Sequence, residues 1–165
     1  MSDAAKSGDQ SYTEMVQVVL PNDANPLGYV LGGTVMHFID LAGAIAAHRH
    51  ARTPMVTAAV DGLQFLHPVR VGELIALRAR VTAVFTTSLE VEVRVYSESL
   101  LSGERRLTSH AYLTFASAEQ DGRRVPLPPL LLETESDRKR VEAARRRREQ
   151  RLERRSRDLT GLQDV

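Results

Sequence analysis

One long apolar helix set ahead of four consecutive strand-like runs constrains this chain more than any other feature. "TVMHFIDLAGAIAAHRHA", residues 34–51, has no proline, is rich in alanine, and fits a helix of about five turns. Thr34 or Gly33 is placed to cap its start, and "HRH" sets cationic or polar groups where the helix dipole favours them. Before it, "YTEMVQVVL" alternates as a strand does, and "PNDANPLGYVLGG" reads as a loop. After it come "MVTAAVDGLQFL", a turn in "HPVRVGE", then "LIALRARVTAVF", "SLEVEVRVYSES" and, past "LLSGE", "RRLTSHAYLTFASA". Strands joined by connections this short imply an antiparallel sheet, because a parallel pair needs a longer crossover. The helix is more apolar than a surface helix needs to be, so it should lie buried across the concave face of that sheet. The fold class expected is α+β.

Composition limits the alternatives. A chain of 165 residues with 42% hydrophobic content suits one domain with a single core. There is no cysteine, which excludes disulfides, thiolate zinc sites and a Cys nucleophile. No N-terminal segment pairs a basic start with a long apolar run, and no stretch reaches about 18 consecutive apolar residues, so a cytoplasmic protein with no membrane span is expected. Residues 1–10 read as a flexible end, 11–132 as the domain, 133–157 as a basic C-terminal helix and 158–165 as a tail.

The net charge of +1 hides an asymmetry. Residues 138–157 hold 11 Lys or Arg against the acids Glu142, Glu149 and Glu153, a local balance of +8, so the remainder carries −7. This segment has too few apolar residues to bury a face and must be held by charge contacts or a partner. Three readings are open: a solvated helix face, a phosphate-binding element, or a nucleic-acid arm. Interleaved aromatics and reader motifs are missing, so nucleic acid is not the expected partner.

Asp40 stands inside the apolar helix, where an unpartnered charge is costly. It is either satisfied locally, by His37 at i−3 or an arginine, or kept for chemistry. Asn25, in the glycine-rich approach, carries an amide that can donate to a carbonyl and accept from a water; an Asn before Pro is also a common turn former. His48 and His50 point to different faces of a helix and do not form a metal pair. No metal site is expected, and no GxSxG motif occurs.

Several stretches, in order and spacing, resemble the hotdog-fold acyl-CoA thioesterases of the brain and acetyl-CoA hydrolase types. They are "DANPLGYVLGGTVMHFIDLAGAIAAHRH", "VTAAVDGLQFLHPVRVGE", "TTSLEVEVRV" and "PLPPLLLETESDRKRVEAARRRREQR", and with the strands between them they span roughly residues 12–155. The resemblance implies a hotdog fold, a long central helix wrapped by a curved antiparallel sheet of about five strands. Protomers pair into dimers, and three dimers commonly form a hexamer. Hydrolysis of acyl-CoA to free acid and CoA is implied, with no metal or redox cofactor, CoA being part of the substrate.

By the same resemblance Asp40 is the catalytic carboxylate, and Asn25 acts with it from the opposite subunit. Gly33 is the candidate oxyanion N–H, and Gly32 before it is a candidate for substrate or CoA binding. Ala58, Ala59, Val60, Thr87, Ser88 and Leu89 are carried over as CoA-contacting. Arg148, with Arg147 a close second, is the arginine that meets the nucleotide. Met36, Phe38 and Phe65 would close the acyl tunnel. Two rivals remain: a non-catalytic acyl-CoA sensor with a basic tail, and a hotdog dehydratase, which commonly uses a histidine that this helix start does not supply.

Overall fold

The computed structural model describes residues 4–162. In chain order the elements are β1 (Lys6–Ser7), β2 (Thr13–Val18), α1 (Gly32–Ala51), β3 (Met55–Phe65), β4 (Leu74–Val84), β5 (Ser88–Glu98), β6 (Arg105–Ser117), β7 (Leu130–Leu131) and α2 (Glu135–Leu162), with 3₁₀ turns at Gly8–Ser11 and Pro21–Asp23. The main sheet has five strands in the order β2-β4-β5-β6-β3, every adjacent pair antiparallel.

Period-two alternation puts the apolar side chains of β5 (Leu89, Val91, Val93 and Val95) on one face, where all four are fully buried. Ile75, Leu77, Ala79 and Val81 of β4 and Ala111, Leu113 and Phe115 of β6 join them. α1 lies against this face through Val35, Ile39, Ala42, Ala46 and Ala47, as its apolar composition requires. Each large side chain buried here contributes about 1.5–3 kcal/mol. Gly43 sets the distance of approach: a Cβ there would stand 3.1 Å from the Phe115 ring. Register shifts between Thr57 and Ala59, Asp61 and Gln64, Val81 and Ala83, and Val95 and Tyr96 bend the strands and curve the sheet.

Four details differ from the sequence expectation. The segment after β3 is not a hairpin turn, because β3 pairs with β6 at the far edge while β4 pairs with β2 and β5. Eight residues reach at most about 28 Å, ample for the three strand spacings, about 14 Å, that separate β3 from β4. On its way this connection pairs Tyr29 with Arg70 and buries Val69, so it is pinned to the loop before α1.

The helix starts two residues early, at Gly32, and its N-cap is Leu31, which makes no side-chain cap; neither Thr34 nor Gly33 fills that role. Residues 6–10, expected as part of a flexible end, are tied down: β1 pairs in parallel with β7, and Lys6 Nζ donates to the His50 carbonyl at 2.6 Å. α2 runs on to Leu162, through most of the expected tail; residues 1–3 and 163–165 lie outside the described residues. No helix among the described residues is long and apolar enough to cross a membrane.

Candidate active site

The loop before α1 is organised by Asn25. Its Oδ1 accepts from the Leu27 N–H at 3.0 Å and the Tyr29 N–H at 3.2 Å, and its backbone N–H donates to the Tyr29 carbonyl at 2.8 Å. Both lone pairs of the amide oxygen are thereby used, so the side chain presents its NH₂. The expected dual role, donating to a carbonyl while accepting from water, reduces to donation. Gly28 closes this turn with φ +79°, a conformation other residues reach only with strain.

Asn25 faces a cleft of about 330 Å³ that it lines together with Tyr29, Val30, Gly32, Val35, Phe65, Leu66, His67, Pro68, Val69 and Ser109. The floor is apolar, formed by the buried Val35 and Val69. Of the three residues expected to shape an acyl tunnel, only Phe65 lines this cleft. Phe38 packs against the core and Met36 is exposed on α1.

The N-terminus of α1 opens beside the cleft. The first intrahelical bond runs from Val35 N–H to the Leu31 carbonyl, so the N–H groups of Gly32, Gly33 and Thr34 precede the helical ladder. A Cβ on Gly33 would meet nothing within 4 Å, and the residue is exposed at this helix start. Such a terminus favours developing negative charge.

Asp40 sits two turns further on. Seven residues place it about 10 Å along the axis from Gly33, on the same face of the helix. It is exposed in the protomer, not buried, and its partner is not His37: the Thr57 hydroxyl on β3 donates to its Oδ1 at 2.6 Å. The structure therefore joins Asp40 to Thr57 and Asn25 to Gly32, and keeps the two pairs apart within one chain. Thr57 is a residue the sequence reading passed over, although it immediately precedes the Ala58–Val60 stretch that was singled out.

Around Asp40 the surface is apolar and uncovered. β3 is an edge strand eleven residues long, with Val56, Val60 and Phe65 exposed, beside Met36 and Leu41 of α1. An edge this long and apolar is a template for pairing with another strand. Ala58 is the extra residue at the bulge between Thr57 and Ala59; Ala58 and Val60 are exposed and Ala59 is partly so.

The carried-over hairpin residues divide. Ser88 Oγ accepts from Arg148 Nη1 at 3.3 Å, and the Thr87 carbonyl accepts from the Ser117 N–H at 2.9 Å. Leu89, expected to contact CoA, is instead fully buried in the core, since it shares the inward parity of Val91 and Val93. Arg148 stacks over Phe85, its guanidinium carbon 4.5 Å from the ring centroid. Arg147, the second choice for the nucleotide, turns the other way. Its Nη2 and Nε donate to the two oxygens of Glu90 at 2.7 and 2.9 Å, and it lies 3.5 Å over Tyr112. Arg146 pairs with Glu142, and Arg145 lines a neighbouring cleft of about 370 Å³ with Phe85 and Leu127. Four consecutive arginines thus point four ways, which accounts for a run longer than phosphate binding alone would need.

The histidines have separate surroundings. His48 Nδ1 lies 2.7 Å from the Ala44 carbonyl and its Nε2 accepts from the Met55 N–H, whereas His50 is buried and donates from Nε2 to the Pro128 carbonyl at 2.9 Å. His110 sits on β6 against Glu92. Burial raises the Glu92 carboxyl, but its hydrogen bonds from His110 and Arg94 outweigh this and hold it below its ordinary value.

The sequence pattern of the thioesterase superfamily matches residues 27–103. An uncharacterized acyl-CoA thioester hydrolase of Bacillus subtilis is 40% identical over 119 residues, 72% of this chain and 69% of that one. The human cytosolic acyl coenzyme A thioester hydrolase is 35% identical over 83% of this chain, which spans only 37% of its length. Among solved structures, an apo-hexameric acyl-CoA thioesterase superposes with a TM-score of 0.86 at 37% identity, covering 92% of this chain and 97% of that one. A Staphylococcus aureus acyl-CoA hydrolase in complex with butyryl coenzyme A, coenzyme A and coenzyme A disulfide does so with a TM-score of 0.88 at 30% identity, covering 96% and 97%.

Proposed function

The chain belongs to the thioesterase superfamily, and we propose that it hydrolyses acyl-CoA thioesters to a free carboxylic acid and CoA. The observation that carries this reading is the Asp40–Thr57 pair: a carboxylate oriented by a hydroxyl, facing outward, on the same helix face as an open N-terminus.

In this scheme Asp40 takes a proton from a water as its oxygen attacks the thioester carbon. The carbonyl oxygen becomes an oxyanion, held by the Gly33 N–H and the Asn25 NH₂. Collapse of the tetrahedral intermediate breaks the C–S bond, and the proton taken up by Asp40 passes to the departing CoA sulfur, which restores the carboxylate. Every step is acid–base or electrostatic, so the scheme as written uses no metal and no redox cofactor.

Within one chain Asp40 does not line the cleft that Asn25 and Gly32 share, and its exposed carboxylate lies beside the uncovered β3 edge. We therefore place Asn25 and Gly33 from one subunit opposite Asp40 from another. Pairing of two β3 edges would cover Val56 and Val60 and bring the two halves together. The hexameric state of the structural neighbour supports a trimer of such dimers. CoA would run past Ala58, Ala59 and Val60 to the Thr87–Ser88 turn, with its phosphates at Arg148. The cytosolic naming of the human relative supports a cytoplasmic location.

The test is release of CoA thiol from a chain-length series of acyl-CoAs. Turnover that depends on chain length supports the proposal. Binding of acyl-CoA with no thiol released for any chain length would refute it and leave a sensor.

A further inference from the structure

α2 is an uncommon helix to find packed on a sheet. Asp137, Ala144, Arg147 and Arg151 recur at spacings that place them on one stripe facing the protein, yet only Ala144 among them is apolar. Ions take the place of an apolar seam. Asp137 meets Arg80 of β4 at 3.1 Å, Arg147 meets Glu90 of β5, and Arg151 meets Asp61 of β3. The helix is therefore fastened in turn to β4, β5 and β3 across the outer face of the sheet.

The middle fastening is the most constrained. Glu90 is 2% exposed, accepts from Nε and Nη2 of Arg147, and takes a further 2.7 Å hydrogen bond from the Thr82 hydroxyl. Tyr112 closes the other side of the guanidinium. With its Nε–Nη2 edge held by Glu90 and one face against Tyr112, Arg147 has only its Nη1 end left to offer a phosphate. One residue on, and about 100° around the helix, Arg148 reaches the Thr87–Ser88 turn.

We infer that Glu90 and Arg147 are positioning residues: their buried ion pair fixes the rotation and height of α2 and so holds Arg148 over Phe85 and Ser88, where it receives the phosphates of CoA. This rests on the proposed acyl-CoA thioesterase reading, with Arg148 as the phosphate contact. Affinity for the nucleotide end of the substrate is in this way set by a carboxylate two residues along β5 from Ser88 that never touches the ligand.

The experiment compares an acyl-CoA with the matching acyl-pantetheine, which has the same thioester but no nucleotide. Glu90→Gln should raise KM for acyl-CoA about tenfold with kcat retained, and leave kcat/KM for acyl-pantetheine unchanged. Arg148→Ala should raise KM similarly, and adding Glu90→Gln to it should change little further, since both act through one contact. Because Glu90→Gln leaves a buried cation poorly paired, the double variant Glu90→Gln/Arg147→Met and the stacking variant Tyr112→Leu provide independent readings; both should show the same selective rise.

An unchanged or lower KM in Glu90→Gln would overturn the inference, because freeing Arg147 would then help binding and make it a direct ligand. An equal loss on both substrates with a lowered Tm would also overturn it, reducing the pair to a prop for the fold. If Arg148→Ala leaves KM for acyl-CoA unchanged while hydrolysis persists, the phosphate contact fails and the inference with it, although the thioesterase reading stands.

Discussion

Thr57 donates a 2.6 Å hydrogen bond to Asp40 across the gap between β3 and α1, two elements that meet here at the open edge of the sheet. The hydroxyl fixes one carboxylate oxygen and leaves the other for water. Asp40→Asn should lower kcat by about 10²–10⁴-fold, the usual worth of a general base. Because asparagine keeps the size of the side chain and an oxygen for the Thr57 hydroxyl, Tm should stay where it is. Thr57→Val should lower kcat by up to about tenfold, the value of one hydrogen bond to a charged group with solvent nearby, and Thr57→Ser should restore it. Initial rates of CoA release and a thermal melt check all three.

His50 gives the fold a pH dependence of known sign. Its ring is fully buried at the end of α1, and Nδ1 has no hydrogen-bond partner. Burial holds its pKa below the ordinary 6.5, against the opposing hydrogen bond to Pro128 and with the help of the nearby Lys6 charge. As pH falls below 6.5, the unfolded chain binds a proton that the folded chain refuses. Stability should then drop by up to about 1.4 kcal/mol per pH unit until the folded ring titrates as well. Melting followed by circular dichroism between pH 7.5 and about 5 should show this slope, and His50→Gln, which keeps a donor for Pro128, should flatten it.

Gly43 tests how closely α1 must approach the sheet. Alanine would gain about 1 kcal/mol of helix propensity, but its Cβ would press on a Phe115 ring that is itself fully buried and cannot yield. Overpacking of this kind costs about 1–3 kcal/mol. The net expectation for Gly43→Ala is a loss of about 1 kcal/mol, read as a fall in Tm of about 2–4 °C.

The strands and the central helix were legible because each carries its own period, two in "VEVRV" and an unbroken apolar run in α1. Pairing was less so: no local pattern says that β3 belongs beside β6 while β4 turns back to β2, because that choice is made by a connection crossing the loop at Tyr29 and Val69. Asp40 and Asn25 stood out as polar groups in unusual places, but Thr57 did not, since its link to Asp40 joins residues 17 positions apart. Leu89 could have been read correctly from parity alone, as it alternates inward with Val91. Arg147 and Arg148 are the opposite case. They are identical neighbours in sequence, and only the docking of α2 assigns one to Glu90 and the other to Ser88.

The central claim is a hydrolytic site built from Asn25 and Gly33 of one subunit and Asp40 of another. Asn25→Ala and Asp40→Ala proteins, each nearly inactive alone, would be mixed, exchanged and assayed for CoA release, with mixed dimers counted by native mass spectrometry. Random pairing makes half the dimers mixed, each with one intact site, so activity should return to about a quarter of wild type. Mixed dimers that form but stay inactive would contradict the account, because Asn25 and Asp40 would then have to act within a single chain.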